Sequence, residues 1–351
     1  MSDQIIIEAD SLEAALTEAV KARSFDRLFL LADSNVERCV FPLISSFINE
    51  FSPSLIILPP GEENKNLTQL SRVWEALAAG GASRNSLLVN LGGGVITDMG
   101  GFAAACFKRG IDFINAPTTL LAAVDAAVGG KTGVDFNGLK NEIGAFAPAS
   151  AVILSTEPFL TLPEDQIVSG FAEIVKMTMI GDASLFNSIL VNGTEKSLST
   201  EGLRPLLSFA VREKERIVTE DPREAGLRKI LNFGHTAGHA FETLLLRRGT
   251  PVSHGCAVAH GILVALILSN LRLKADSMLI HVYAREILRP LYGYLPLECK
   301  DIDDLMELMA HDKKNRSGRI AFILLESPGH PVISDDTPRA DIRAALELYF
   351  G

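Results

Sequence analysis

Cysteine is scarce in this chain. Its 351 residues include four, Cys39, Cys106, Cys256 and Cys299, scattered without disulfide or thiolate-metal spacing. Positive charge is also short: 33 Lys and Arg face 43 Asp and Glu, a formal net charge of −10. A phosphate backbone needs a basic surface, so this balance argues against nucleic-acid binding. No basic segment followed by an apolar run stands at the N-terminus, so no signal peptide is expected. The longest apolar stretch, CAVAHGILVALIL at 256–268, is too short to cross a bilayer and carries His260. A buried helix is the expectation there. There is no internal repeat and no low-complexity tract. These absences leave a soluble, reduced, cytoplasmic protein as the expected class.

What is present is enough apolar material, 47% of residues, for sizeable cores, in a length that suits two domains. The first part alternates short apolar runs with helical patterns. Runs at 27–35, 54–62, 86–94, 111–117 and 150–155 read as strands, and 66–81 reads as a helix closing on glycines. Such alternation implies a mostly parallel sheet with helices on its faces. From about Leu162 helical spacing dominates, beginning with 163–180. One exception is a strand at 318–326, paired with 331–334. The expected organisation is an α/β domain over 1–160 and a mostly helical domain over 161–351.

Several segments can carry chemistry. LLVNLGGGVITDMGGF at 87–102 is a strand, a glycine turn and a helix, the arrangement that admits a pyrophosphate. It is a partial dinucleotide fingerprint, with Thr97 at the third glycine, and also fits an ordinary tight turn. Asp33, ending an earlier strand, could serve the ribose. In PTTLLAAVDAAVGGKTGV, Asp125 interrupts an apolar helical run and Lys131 follows two glycines. Either they form a structural ion pair or they are functional. Glu173 and Lys176 share a helix face at i, i+3 among apolar neighbours. His235 and His239 lie one helical turn apart. The zinc-protease pattern would place a glutamate after the first histidine, and Thr236, Ala237 and Gly238 stand between them instead.

In order and spacing, PGEENK, LGGGVITDMGGF, PTTLLAAVDAAVGGKTGV, LKNEIGAF, GFAEIVK, REAGLRKILNFGHTAGHAFE, SHG and DKK together resemble the 3-dehydroquinate synthase family over about residues 33–325. That resemblance implies a Rossmann-like NAD-binding domain followed by a helical metal- and substrate-binding domain. It implies a zinc or cobalt ion on Glu173, His235 and His254, with His239 in the substrate pocket and not on the metal. It places NAD on Asp33, Glu62, Lys65, Gly94, Val95, Ile96, Thr97, Asp98, Thr118, Thr119, Lys131, Lys140, Phe159 and Thr161. Substrate contacts carry over to Asp125, Lys131, Asn141, Lys176, Lys214, Arg228, Asn232, His239 and one lysine of DKK, taken as Lys313. Arg109 is implied to serve the partner subunit's site, hence a homodimer. The implied substrate is a sugar-acid phosphate, and the implied reaction is a phosphate-eliminating cyclisation in the shikimate pathway.

Some positions depart from the family pattern. Cys256 replaces a glutamate beside His254, so altered support around that histidine is expected. Thr97 replaces a glycine, Asp135 an asparagine, and Ala122-Ala123 a Ser-Gln pair. Three rival readings are another sugar phosphate cyclase, of valiolone or inosose type, a metal-dependent polyol dehydrogenase, and a non-catalytic NAD-binding sensor, which would need no metal. The many Lys and Arg of the candidate set suit a charged substrate better than a polyol.

Overall fold

The computed structural model describes residues 4–137, 139–310 and 320–351. The chain forms two compact units, Met1–Ile167 and Val168–Gly351.

The first unit is built on eight strands: β1 (Ile5–Glu8), β2 (Leu28–Asp33), β3 (Ser54–Leu58), β4 (Leu87–Gly92), β5 (Asp112–Pro117), β6 (Lys131–Phe136), β7 (Leu139–Phe146) and β8 (Ala151–Leu154). Six of them make a parallel sheet in the order β1-β8-β5-β4-β2-β3. The central strands are buried on both faces, which is why they read as unbroken apolar runs. One face packs Leu28, Leu30, Leu87, Val89 and Ile114 against the helix Leu12–Lys21. Each fully buried side chain of this kind contributes about 1.5–3 kcal/mol. The helix Leu67–Ala79 starts where Asn66 accepts from Gln69 N–H and stops at Gly80.

The strand order contains a switch point. From β2 the chain moves outward to β3, and from β4 it moves the other way to β5. The carboxyl ends of β2 and β4 therefore diverge around a crevice, the place where open α/β sheets hold ligands. Asp33 and the Gly92–Gly94 turn lie at those two ends.

Two segments differ from expectation. The apolar run around Asp125 is no full helix but a single π-helical turn, Ala122–Ala126. Lys131 then opens an antiparallel hairpin, β6 with β7, that was not foreseen.

The second unit holds the helix Glu164–Gly181 from Val168 onward and the helices Thr200–Glu220, His235–Arg247 and His254–Leu273, with the antiparallel pair β9 (Ile320–Ser327) and β10 (His330–Thr337). The helix His254–Leu273 is longer than the apolar run within it. At 20 residues it has the length and hydropathy to cross a membrane, but 67% of its most apolar window is buried inside the unit. The apolar run 256–268 is thus the centre of a longer, mostly buried helix, as the burial expectation has it. Glycine sets how closely these helices approach. A Cβ on Gly255 would lie 1.9 Å from Ser169 O, and one on Gly261 would lie 1.9 Å from Gly234 O.

Candidate metal and active site

Three helices of the second unit bring one side chain each to a common point. Glu173 comes from Glu164–Gly181, His235 from the first turn of His235–Arg247, and His254 from the first turn of His254–Leu273. One donor atom from each lies within 4.8 Å of the other two. His235 Nε2 is 3.4 Å from Glu173 Oε1, and His254 Nε2 is 3.6 Å from the same oxygen. Ligands sharing an edge of a tetrahedral zinc site are about 3.3 Å apart, given bonds of about 2.0–2.1 Å. The donor set fits a divalent metal in chemistry and in spacing.

The outer nitrogens of both histidines are pinned. His235 Nδ1 lies 3.1 Å from Phe233 O, and His254 Nδ1 lies 3.2 Å from Glu242 Oε2. Each contact turns Nε2 toward Glu173. Burial, with Lys176 next, drives His235 well below its ordinary value, so its imidazole is neutral, the form that can bind a metal. At His254 burial acts the same way, but Glu173 and Glu242 outweigh it and raise the imidazole to about 10. Metal binding would have to displace that proton. Lys176 forms an ion pair with Glu173, and both are buried, so the pair is not a solvated surface bridge. His239 packs edge-on to His235 with centroids 5.4 Å apart. It stands beside the trio without belonging to it.

Arg228 and Asn232 share the 3-10 turn Leu227–Asn232, which runs directly into His235. Arg228 and Lys214 are buried, at 3% and 5% exposure. Buried cations are costly, so their presence marks either a network or a site for anions.

In the first unit a second group surrounds the glycine turn. The helix Gly94–Cys106 has Gly93 as N-cap and no side-chain cap. Thr118 N–H donates to Gly92 O at 3.0 Å, and a Cβ on Gly93 would crowd Thr119 Cγ2 at 3.2 Å. The turn is thus a close-fitting backbone cradle at the switch point, suited to a pyrophosphate. Lys65 Nζ lies 2.6 Å from Asp98 Oδ2, both well shielded. Burial alone would lower Lys65, but Asp98 and Glu62 reverse that and hold it charged. Asp98 is raised to about 6, because burial outweighs the attraction of Lys65.

The remaining candidates are more dispersed. Asp33 caps its own helix, accepting from Asn35 and Val36 N–H. Val95 is half-buried, Ile96 is buried, and Glu62 and Lys140 are exposed. Phe159 is buried in the turn Glu157–Thr161, where Thr161 Oγ1 donates to Pro158 O. Asp125 is half-buried, and Lys131 and Asn141 are exposed on the hairpin. Arg109 is exposed at φ 69, next to Lys108 at φ 50. Lys313 lies outside the described residues.

The comparisons decide the family. The N-terminal 3-dehydroquinate synthase model matches residues 55–169 and the C-terminal model matches residues 170–315. The chain belongs to the 3-dehydroquinate synthase family. It is 43% identical to the 3-dehydroquinate synthase of Parabacteroides distasonis over 99% of this chain and 98% of that one. It is 39% identical to that of Corynebacterium pseudotuberculosis over 84% and 81%. Among solved structures it resembles 2-epi-5-epi-valiolone synthase from Streptomyces hygroscopicus with NAD+ and Zn2+ bound, with a TM-score of 0.88, 24% identity and coverage of 99% and 96%. A 2-deoxy-scyllo-inosose synthase complexed with carbaglucose-6-phosphate, NAD+ and Co2+ gives 0.85, 24%, 98% and 96%. These two establish the fold.

The departures from the 3-dehydroquinate synthase pattern acquire local explanations. Thr97 is buried, and its hydroxyl donates to Gly94 O at 3.2 Å within its own helix. Asp135 Oδ1 accepts from Asn141 N–H at 2.8 Å, a bond an asparagine oxygen could also accept. Near Cys256, His254 has a carboxylate partner in Glu242, whose Oε2 lies 3.2 Å from its Nδ1. Sequence reasoning missed Glu242, although His235, His239 and Glu242 fall at i, i+4 and i+7, one face of a helix. Ala122 and Ala123 are buried, and nothing in the structure explains that pair.

Proposed function

We propose that the protein is a carbon–oxygen lyase that converts 3-deoxy-D-arabino-heptulosonate 7-phosphate to 3-dehydroquinate and phosphate. The observation that carries this reading is the trio of buried Glu173, buried His235 and half-buried His254 in a chain matched by both family models. Identity of 43% to a 3-dehydroquinate synthase, against 24% to the valiolone and inosose synthases, favours this product over theirs.

Glu173, His235 and His254 would hold zinc or cobalt, and the Gly94–Asp98 turn with Lys65, Thr118 and Thr119 would hold NAD. When bound, NAD supplies a reversible hydride acceptor for C5 and the metal a Lewis acid for its oxygen. The chain's own residues do the rest. Lys176, Lys214 and Arg228 pair with the substrate's carboxylate and phosphate oxygens, and Asn141 and Asn232 add amide donors. The cations also hold the phosphate where it can take the C6 proton as it departs. That accounts for a set rich in Lys and Arg without a dedicated carboxylate base. His239 and Asp125 contact the ring hydroxyls.

A cytoplasmic homodimer is part of the reading. It is supported by four free cysteines and by the placement of Arg109 on an exposed left-handed turn that Arg84 steadies through Lys108 O at 3.0 Å. The test is phosphate release from the heptulosonate phosphate by purified protein with zinc and trace NAD, with absorbance of NADH followed in parallel. Substrate consumption that stops once the trace NAD has all become NADH, with no phosphate released, would make the protein a dehydrogenase instead.

A further inference from the structure

Asp221 ends the helix Thr200–Glu220 and closes the turn after it. Its Oδ1 accepts from Ala225 N–H at 2.9 Å. Its Oδ2 accepts from Gly226 N–H at 2.7 Å and from Arg228 N–H at 3.1 Å. Those bonds, with Gly226 first, hold the carboxyl below its ordinary value. The Arg228 guanidinium folds back over the same turn and donates from Nη1 to Pro222 O at 2.9 Å. A second staple crosses the loop, from Asn232 Nδ2 to Glu224 Oε1 at 2.7 Å. Glu224 sits at φ 59, a left-handed conformation that a non-glycine residue keeps only when its surroundings impose it. Three residues past Asn232 comes His235.

Asp221 matches none of the residues given a role above. It is half-buried, it contacts backbone, and the side chain it steers is buried. The carbonyls left unpaired at a helix C-terminus need donors, and a carboxylate only accepts, so the Asp221 side chain serves the turn that follows and not the helix it ends. Three bonds from one carboxylate, the last to Arg228 itself, fix where the Arg228 backbone begins its path into the site. We propose that Asp221 is a positioning residue, which through the turn 222–228 aims Arg228 at an anionic group of the substrate. This rests on the heptulosonate phosphate reading given above.

The test uses full-length, metal-loaded protein without NAD, so that no hydride can leave and binding is read directly by calorimetry. Heptulosonate phosphate is titrated into the wild type, Asp221→Asn, Arg228→Ala and the double variant. Asp221→Asn is expected to weaken binding about tenfold, as for a lost charge-assisted contact. In the Arg228→Ala background the same change is expected to add less than about twofold, because the two act through one contact. With NAD present, KM should rise by a similar factor while kcat falls less than about threefold. A simple capping role would lower the melting temperature and leave the dissociation constant of the folded protein unchanged. Unchanged binding in Asp221→Asn, or full multiplication with Arg228→Ala, overturns the inference. If Asp221→Asn does not fold, Asp221→Ser, which keeps one acceptor, is titrated in its place with the same two criteria. A wild type that binds but releases no phosphate with NAD overturns the reaction and not the positioning role. A wild type that does not bind overturns both.

Discussion

Glu242 and His254 lie 12 residues apart in sequence, yet Glu242 Oε2 is 3.2 Å from His254 Nδ1. One helix thus supplies both a metal-ligand candidate, His235, and the carboxylate that orients another. Contacts of this kind typically change metal affinity 10- to 100-fold when lost. Glu242→Gln should weaken zinc binding by roughly that factor, measured by competition with a chromogenic chelator. His239→Ala should keep its metal while losing activity. A metal-free His239→Ala beside a metal-replete His254→Ala would reverse the ligand assignment.

Gly255 tests whether helix approach sets the metal site. A Cβ there would lie 1.9 Å from Ser169 O, a backbone atom that cannot simply rotate away. Gly255→Ala should cost about 1–3 kcal/mol of stability, the usual range for overpacking. It should also weaken zinc binding, because the shift displaces the neighbouring His254. Denaturant unfolding and metal competition measure the two effects. Lost stability with unchanged metal affinity would separate helix packing from ligand placement.

Asp301 gives a prediction in pH. It accepts from Arg248 Nη2 at 2.7 Å and from Glu298 N–H at 2.8 Å, and these bonds, Arg248 first, hold its carboxyl below the ordinary value. A depressed carboxyl contributes stability above its unfolded value of about 4 and loses it as pH falls through the folded value. Because Arg248 is 36% exposed and its charge partly screened, the pair's share is small. Asp301→Asn keeps one acceptor oxygen, so the cap to Glu298 N–H can persist while the charged partner of Arg248 is lost, and the cost at pH 7 should be about 0.5–1.5 kcal/mol. Its melting temperature should fall less steeply than the wild type's below about pH 4. Parallel acid limbs would show that Asp301 is not depressed.

Arg109 tests the proposed shared site. Arg109→Ala and His235→Ala should each be inactive alone. After subunit exchange in equal amounts, activity should recover to about a quarter of wild type, since half the dimers are mixed and each has one complete site. No recovery after confirmed exchange would place Arg109 outside the partner's site.

Much of the first unit was legible because its central strands are buried on both faces, so that β2 and β4 read as apolar runs ending in aspartate and glycine. The hairpin β6-β7 was missed for the opposite reason. Lys131, Leu139, Lys140 and Asn141 are exposed, and the segment has neither alternation nor an apolar run. The helix His254–Leu273 was underestimated because its ends, His254 and the stretch from Asn270 to Leu273, lie outside the apolar run that drew attention. Local spacing could pair His235 with His239, but not His235 with His254 and Glu173. Those three meet only through the packing of separate helices, and the resemblance to a family, not periodicity, connected them.

The most direct test of the proposed reaction follows a single hydrogen. Heptulosonate phosphate deuterated at C5 is turned over with zinc and NAD far below substrate, and the product is analysed by mass spectrometry and NMR. A hydride taken and returned to the same carbon predicts 3-dehydroquinate with the deuterium retained at that position, one phosphate released per product and no accumulated NADH. Deuterium lost to solvent, or turnover that stops once the NAD supplied has become NADH, would contradict it.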